Sequence, residues 1–176
     1  MEQKDLSPSY HEILKWYINL PNQILAMPER ENITEFVLHA LCNEQCYNLE
    51  KAAYFIDNED FNCVKGIAGY HRQEEFSDPL TIWSAPDKFS DHMRSCVFNQ
   101  KVRSIELNSF KKSKLSQGAI VSQLAENLEF SNPTFFKWNV KYDNEGILLF
   151  QVNSESSKCE SELLKGLCLL GFCPVF

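Results

Sequence analysis

The seventeen residues from Phe136 to Val152, FKWNVKYDNEGILLFQV, carry the clearest local structure in the sequence. Apolar and polar side chains alternate over the first seven positions, which is the two-residue period of a β-strand with one buried face. The polar run Asp143-Asn144-Glu145-Gly146 then predicts a turn, and the apolar run from Ile147 predicts a returning strand. The stretch therefore predicts a β-hairpin.

The chain before this hairpin begins with a predicted helical region. Apolar residues at helical spacing predict a helix from Ser7 that ends at Pro21. Asn32-Ile33-Thr34-Glu35 has the form of a capping box, which predicts a second helix running to about Tyr47. A third, short helix is predicted to follow, with Asn48 as its cap and Leu49, Ala52, Ala53 and Ile56 on one face.

The remaining segments mix the two periodicities and set the fold class. Strands are predicted around 63–70, 80–83 and 101–107, and helices over 86–98, 116–128 and 157–170. Strands joined by hairpins and flanked by helices predict an α+β fold with a mainly antiparallel sheet. A length of 176 residues predicts one domain over 1–176, with a helical part at about 7–57 and a mixed α+β part at about 61–176.

One stripe of side chains suggests chemistry. On a wheel of the second helix, Glu35, His39, Cys42 and Cys46 fall within about 60° of one another, opposite the apolar face. Thiolate and imidazole are ligands that zinc or iron prefers, so the stripe predicts a metal site. A straight helix gives one ion two such ligands easily, so the others must come from elsewhere. The candidate ligands are His39, Cys42, Cys46, Cys63 and His71, with Glu35 and His92 as further members.

Two other interpretations of the stripe stay open. In the one that we favour, the helix is packed between neighbours and His39 is hydrogen-bonded to a backbone carbonyl. In the other, the protein is a thiol enzyme. Its thiolate would be Cys63 or Cys42, its base His71 or His39, and the group orienting the base Asp57 or Asp60.

A short stretch resembles a known family. Asn48-Leu49-Glu50-Lys51-Ala52 has the N-x-E-x-A pattern that opens the final helix of a ubiquitin-associated domain, and Glu35 to Asp57 resembles the last two helices of that family. The resemblance covers about two dozen residues and implies two packed helices. The family's Met-Gly-Phe/Tyr binding loop has no counterpart upstream, so the resemblance implies no ubiquitin-binding residue.

Charge and termini limit the partners that we expect. A formal charge of −7 and a pI of about 5.1 oppose binding to nucleic acid. The sequence has no 18-residue apolar run and no signal peptide, and its seven cysteines lack a disulfide-scaffold spacing, so we expect a cytoplasmic protein. The last four residues match a C-a-a-X box with Cys173 as prenyl acceptor, but no polybasic segment precedes them, so we expect a docked apolar tail instead.

These observations favour a non-catalytic intracellular binding or regulatory protein, with a protein partner whose identity the sequence does not give. The alternatives are a zinc or iron protein or metal-dependent enzyme centred on the stripe, and a Cys-His thiol enzyme.

Overall fold

The computed structural model describes residues 10–27, 31–44, 46–77 and 82–153. Its helices are α1 (Tyr10–Leu25), α2 (Ile33–Cys42), α3 (Pro86–Ser95), α4 (Val97–Arg103), α5 (Phe110–Ser113) and α6 (Gln117–Leu128), with a 3-10 turn at Arg72–Glu74. Its strands are β1 (Leu49–Asn58), β2 (Cys63–His71), β3 (Glu106–Leu107), β4 (Thr134–Asn139) and β5 (Glu145–Val152). The strands form one antiparallel sheet in the order β3-β2-β1-β5-β4. The predicted α+β class with an antiparallel sheet is confirmed.

Strand β1 lies at the centre of the sheet and faces a core on each side. Alternate residues point to opposite faces of a strand, so Tyr54 and Phe55 enter different clusters. The Tyr54 side packs with α2 and α3, through Phe36 and Phe89 among others. The Phe55 side packs with α4, α5 and α6. Helices therefore cover both faces of the central strands.

The predicted C-terminal hairpin is confirmed, with its turn displaced by two residues. β4 pairs with β5 from Thr134 opposite Phe150 to Asn139 opposite Glu145. The turn centres on Tyr142 and Asp143, whose φ angles of 61° and 56° are left-handed. Gly146 lies inside β5, where a Cβ would come within 2.9 Å of the Trp138 ring, so this glycine is required by packing and not by the turn.

The N-terminal predictions need correction in three places. Helix α1 continues through Pro21 to Leu25. Asn32 makes no side-chain capping bond, and its Oδ1 instead accepts from the Ser90 hydroxyl at 3.1 Å. Helix α2 ends at Cys42 rather than near residue 47.

The predicted third helix is wrong, because residues 49–58 form strand β1. β1 pairs with β2 on one side and β5 on the other, and a strand buried on both faces loses the two-residue alternation that identifies it. Its apolar positions then matched helical spacing by coincidence. The likeness to the paired helices of a ubiquitin-associated domain therefore does not hold, and the helical part ends before residue 49.

The middle of the chain contains further differences. Ile82 and Trp83 lie in a turn instead of a strand, and the single helix predicted over 86–98 is two helices separated at Cys96. The carboxylate of Glu74 accepts the N–H groups of Val97 and Phe98 at 2.9 and 3.0 Å, which starts α4 as a new helix. Only 106–107 of the predicted strand 101–107 is strand, whereas the helix predicted over 116–128 is confirmed as α6 with Ser116 as its cap.

The predicted helix over 157–170 and the proposed acceptor Cys173 lie outside the described residues. Within those residues, none of the helices has the length and apolar character needed to cross a lipid bilayer.

Candidate functional site

The C-terminal half of the stripe on α2, formed by His39 and Cys42, is enclosed by the core, and we call it the closed half. Every residue of α2 is buried, and His39 is 4% exposed with its ring edge-on to Tyr70 at 5.0 Å and to Phe89 at 5.2 Å. Burial, with a smaller contribution from the charge of His92, lowers the pKa of His39 to about 4. The imidazole is therefore neutral at pH 7 and packed among aromatic rings, as the favoured interpretation predicts. Its Nδ1 has no hydrogen-bond partner among the described residues, so the predicted carbonyl contact is not made at that atom.

The other predicted metal ligands are dispersed. Cys42 and Cys46 lie in the α2-side core, and burial raises the pKa of the Cys42 thiol. Cys63 and His71 occupy the two ends of β2, roughly 26 Å apart for eight steps along a strand, so one ion cannot bind both. Within the described part of the chain, no group of three or more His, Cys, Asp or Glu side chains could hold a metal ion. Metal binding stays a prediction from the sequence.

Among the described residues, His92, a further candidate ligand, lies beside a thiol that the sequence analysis left out, that of Cys96. Cys96 Sγ lies 3.3 Å from His92 Nε2, one turn away along the chain, and the same nitrogen lies 2.7 Å from the carbonyl oxygen of Glu74. Burial, followed by the charge of Glu74, raises the pKa of Cys96 to about 11. The thiol stays protonated at neutral pH, which is the wrong state for a nucleophile.

The residues named for the thiol enzyme are not assembled either. Burial raises the pKa of Cys63 and lowers the pKa of His71, whose ring faces Phe98 at 5.5 Å. Asp57 is fully buried, and its Oδ2 accepts the backbone N–H groups of Phe110 and Lys111 at 3.0 and 3.2 Å. Asp57 therefore holds the start of α5 and does not orient His71, while Asp60 is exposed in the β1–β2 turn.

The N-terminal half of the stripe, which consists of Glu35 and which we call the open half, borders a polar cavity. Glu35 is 2% exposed, yet its Oε1 accepts from Arg103 Nη1 at 2.9 Å and lies 3.4 Å from Asn99 Nδ2. Burial raises the pKa of Glu35, and its own backbone N–H, Arg103 and Asn99 oppose that rise. A buried carboxylate is thus held against a cation whose own side chain is 49% exposed.

Asn99 connects this ion pair to the rest of the fold. Its Oδ1 accepts the backbone N–H of Gly69 in β2 at 2.9 Å, and its Nδ2 donates to the carbonyl of Met93 in α3 at 3.0 Å. Asn99 is itself 2% exposed. Glu35, Asn99 and Arg103 therefore join α2, α3, α4 and β2 through one hydrogen-bonded cluster.

The cluster forms the floor of an open cavity of about 920 Å³, which we call the Glu35–Arg103 cleft. Arg103 has one hydrogen-bond acceptor among the described residues, Glu35, so most of its five N–H donors are available to the cavity. The lining is mainly polar, with Met93 as its apolar member, and consists of Glu31, Asn32, Glu35, Ser90, Met93, Arg94, Asn99, Gln100, Arg103 and Ser104. The stripe predicted Glu35 as a functional residue, but nothing in the sequence connected it with Asn99 or Arg103.

Comparison with solved structures relates this fold to a known class. The chain is similar to the GAF domain from a phosphoenolpyruvate-protein phosphotransferase of Coxiella burnetii, with a TM-score of 0.54 and 13% identity over 93% of this chain and 92% of that one. A weaker likeness, to SdiA in complex with octanoyl-rac-glycerol, has a TM-score of 0.43 and 14% identity over 97% of this chain and 64% of that one. No family model matches the sequence, and no curated protein sequence matches it. The chain is a single α+β domain whose fold resembles a GAF domain.

Proposed function

We propose that this chain is a non-catalytic regulatory domain of the cell interior that binds a small polar molecule in the Glu35–Arg103 cleft. The fold supports the proposal, because GAF domains are small-molecule-binding regulatory domains. The four described cysteines at 42, 46, 63 and 96 form no disulfide within the described residues, which fits a reducing compartment. The raised pKa values of Cys42, Cys63 and Cys96 support a role other than thiol catalysis.

The observation that carries the proposal is the half-exposed guanidinium of Arg103 on a buried carboxylate. Glu35 fixes one edge of the guanidinium, and the remaining donors face a cavity large enough for a metabolite. A planar fork held in this way suits a carboxylate or phosphate group on the ligand. The exposed guanidinium of Arg94, which pairs with Asp91 at 2.7 Å, lines the same cavity together with Glu31.

The same cluster would couple ligand binding to the packing of the helices. A ligand anion that binds the remaining donors of Arg103 weakens the attraction between Arg103 and Glu35, and Glu35 is connected through Asn99 to β2 and α3. Burying Glu35 with a weaker partner costs free energy, so ligand binding would favour a rearrangement of α2 against α4. The arrangement is suited to regulation because the binding residue and the structural residues share hydrogen bonds.

The experiment is a thermal-shift and calorimetric screen of the purified full chain. The probes are dicarboxylates, sugar phosphates, mononucleotides and amino acids at millimolar concentration, tested on the wild type, Arg103→Leu and Arg94→Leu. We expect at least one probe to stabilise the wild type, to bind Arg94→Leu more weakly, and to lose at least about ten-fold in affinity for Arg103→Leu. A probe that binds Arg103→Leu as tightly as the wild type, or a screen in which no probe binds, would overturn the proposal.

A further inference from the structure

The charged side chains that line the Glu35–Arg103 cleft are two arginines, Arg94 and Arg103, and two glutamates, Glu31 and Glu35. Three of the four have a partner of opposite charge, because Glu35 pairs with Arg103 at 2.9 Å and Arg94 pairs with Asp91 at 2.7 Å. Glu31 is exposed and forms no ion pair within the part of the chain that the structure describes. The uncompensated charge of the cleft lining is therefore negative.

Glu31 and Glu35 belong to the same short segment of chain. Glu31 lies four positions before Glu35 and directly before Asn32, at the start of α2. The carbonyl of Asn32 accepts the backbone N–H of Glu35 at 3.1 Å, and its Oδ1 accepts from the Ser90 hydroxyl at 3.1 Å, so the backbone beside Glu31 is fixed. Arg103 lies on α4 and has donors that Glu35 does not use. A carboxylate without a cationic partner and a guanidinium with unused donors therefore line one cavity.

These two groups discriminate between kinds of ligand by charge. A ligand with anionic groups alone, such as a dicarboxylate or a sugar phosphate, would bind Arg103 but bring like charges towards Glu31 and Glu35. A ligand that also carries an ammonium group avoids this repulsion, because its N–H donors can bind Glu31 while its carboxylate binds Arg103. An amino acid combines these two groups at neutral pH, and their charges cancel.

The uncharged lining residues favour a polar side chain on that ligand. Gln100 Nε2 donates to the carbonyl of Arg94 at 2.6 Å, and Asn32 Oδ1 accepts from Ser90. Gln100 Oε1 and Asn32 Nδ2 form no hydrogen bond among the described residues, so one can accept from a ligand and the other can donate to it. Met93 is only 1% exposed and offers little apolar surface. The cleft therefore suits a small polar amino acid better than a large apolar one.

We propose that the ligand of the Glu35–Arg103 cleft is a small polar amino acid, whose carboxylate binds Arg103 and whose ammonium group binds Glu31. This inference rests on the function proposed above for the cleft and names the chemical class of its ligand. Glu31 acts here as the residue that selects amino acids over other carboxylates.

The experiment is titration calorimetry of the full chain with amino acids and matched analogues. The twenty standard amino acids, β-alanine and 4-aminobutyrate are first screened by thermal shift. The best binder is then compared with one analogue that lacks the amino group and with another that has a primary amide in place of the carboxylate. We expect each analogue to bind the wild type at least about ten-fold more weakly than the amino acid, because each lacks one of the two charged contacts.

Two substitutions separate the roles of the two charged residues. Glu31→Gln, at an exposed position that should not affect folding, is expected to weaken the amino acid at least about five-fold and to leave the analogue without the amino group unchanged or tighter. Arg103→Leu is expected to weaken both. The control Glu59→Gln removes an exposed carboxylate in the β1–β2 turn, outside the cleft lining, and should change neither affinity more than about two-fold.

The outcomes distinguish this inference from the function on which it rests. A dicarboxylate or sugar phosphate that binds through Arg103 when no amino acid binds would overturn the inference and leave the proposed function standing. The inference would also be wrong if the analogue without the amino group bound as tightly as the amino acid, or if Glu31→Gln changed the two affinities equally. If no probe of any class binds, both proposals fail.

Discussion

The two halves of the stripe on α2 both carry titratable side chains, Glu35 in the first half and His39 and Cys42 in the second, but their environments differ. Glu35 pairs with Arg103 at an open cleft, whereas His39 and Cys42 are enclosed by Tyr70, Phe89 and the rest of the α2-side core. The helical wheel places all of them on one face, because the angular positions of residues on one helix follow from local geometry alone. The difference comes from distant segments, because α4 supplies a cation to one half while β2 and α3 supply aromatic rings to the other. A polar side chain on a helix thus becomes a site residue or a core residue according to what packs against it.

Opening the closed half should have the largest effect. Phe89 is fully buried and contacts Phe36 at 4.5 Å and His39 at 5.2 Å between ring centres. We expect Phe89→Ala to lower the free energy of unfolding by about 3 to 5 kcal/mol, measured by urea denaturation, because it leaves a cavity. The control Val97→Ala, at an exposed position, should cost less than about 0.5 kcal/mol. A cost for Phe89→Ala similar to that of Val97→Ala would show that α2 is not enclosed there.

The dependence of stability on pH tests whether His39 is buried, and this test creates no cavity. The folded pKa is lowered from 6.5 to about 4, so the unfolded chain binds the proton more tightly and stability is lost as the pH falls from about 6.5 to about 4. This loss should reach about 3 kcal/mol at pH 4. We expect His39→Phe to remove it, as measured by the difference between the two unfolding free energies at each pH. Parallel curves for the wild type and the variant would mean that His39 is solvated.

The open half can be tested by removing the cation. Arg103→Leu leaves Glu35 buried without its charged partner, which should cost about 2 kcal/mol at pH 7, less than for a fully buried pair because Arg103 is 49% exposed. The cost should shrink as the pH falls, because a protonated Glu35 needs no cation. The raised pKa of Glu35 means that this decline begins above the usual range for a glutamate.

The matched control for that variant is Arg94→Leu. Arg94 pairs with Asp91 at 2.7 Å, but both side chains are more than 70% exposed, so its loss should cost less than about 0.5 kcal/mol at any pH. Equal and pH-independent costs for the two arginine variants would contradict a difference in strength between an ion pair with a buried carboxylate and an exposed ion pair.

The sequence predicted those secondary-structure elements whose conformation is determined by residues close by in the chain. The β4–β5 hairpin alternates polar and apolar residues over its first strand, and α6 has both a serine cap and an apolar stripe, so each is specified locally. Strand β1 was predicted as a helix because it is buried on both faces and shows no alternation. The cleft could not be predicted because Glu35 and Arg103 are 68 positions apart, and no local pattern marks such a pair.

Apart from the control variants, the smallest expected effect is that of Cys42→Ser, which separates core packing from metal binding around His39 and Cys42. Cys42 is 1% exposed in an apolar cluster, so Cys42→Ser places a hydroxyl there and should cost about 1 to 2 kcal/mol. If Cys42 instead ligates zinc or iron, the same change should remove the metal and lower stability far more, since the free energy of metal binding contributes to folding.

Plasma mass spectrometry of the natively purified protein, after reconstitution under reducing conditions, measures the metal directly, and His39→Ala is the matching variant. About one zinc or iron per chain, lost in both variants, would mean that the closed half is a metal centre. A metal content that neither variant changes, with a modest stability cost, is what packing predicts.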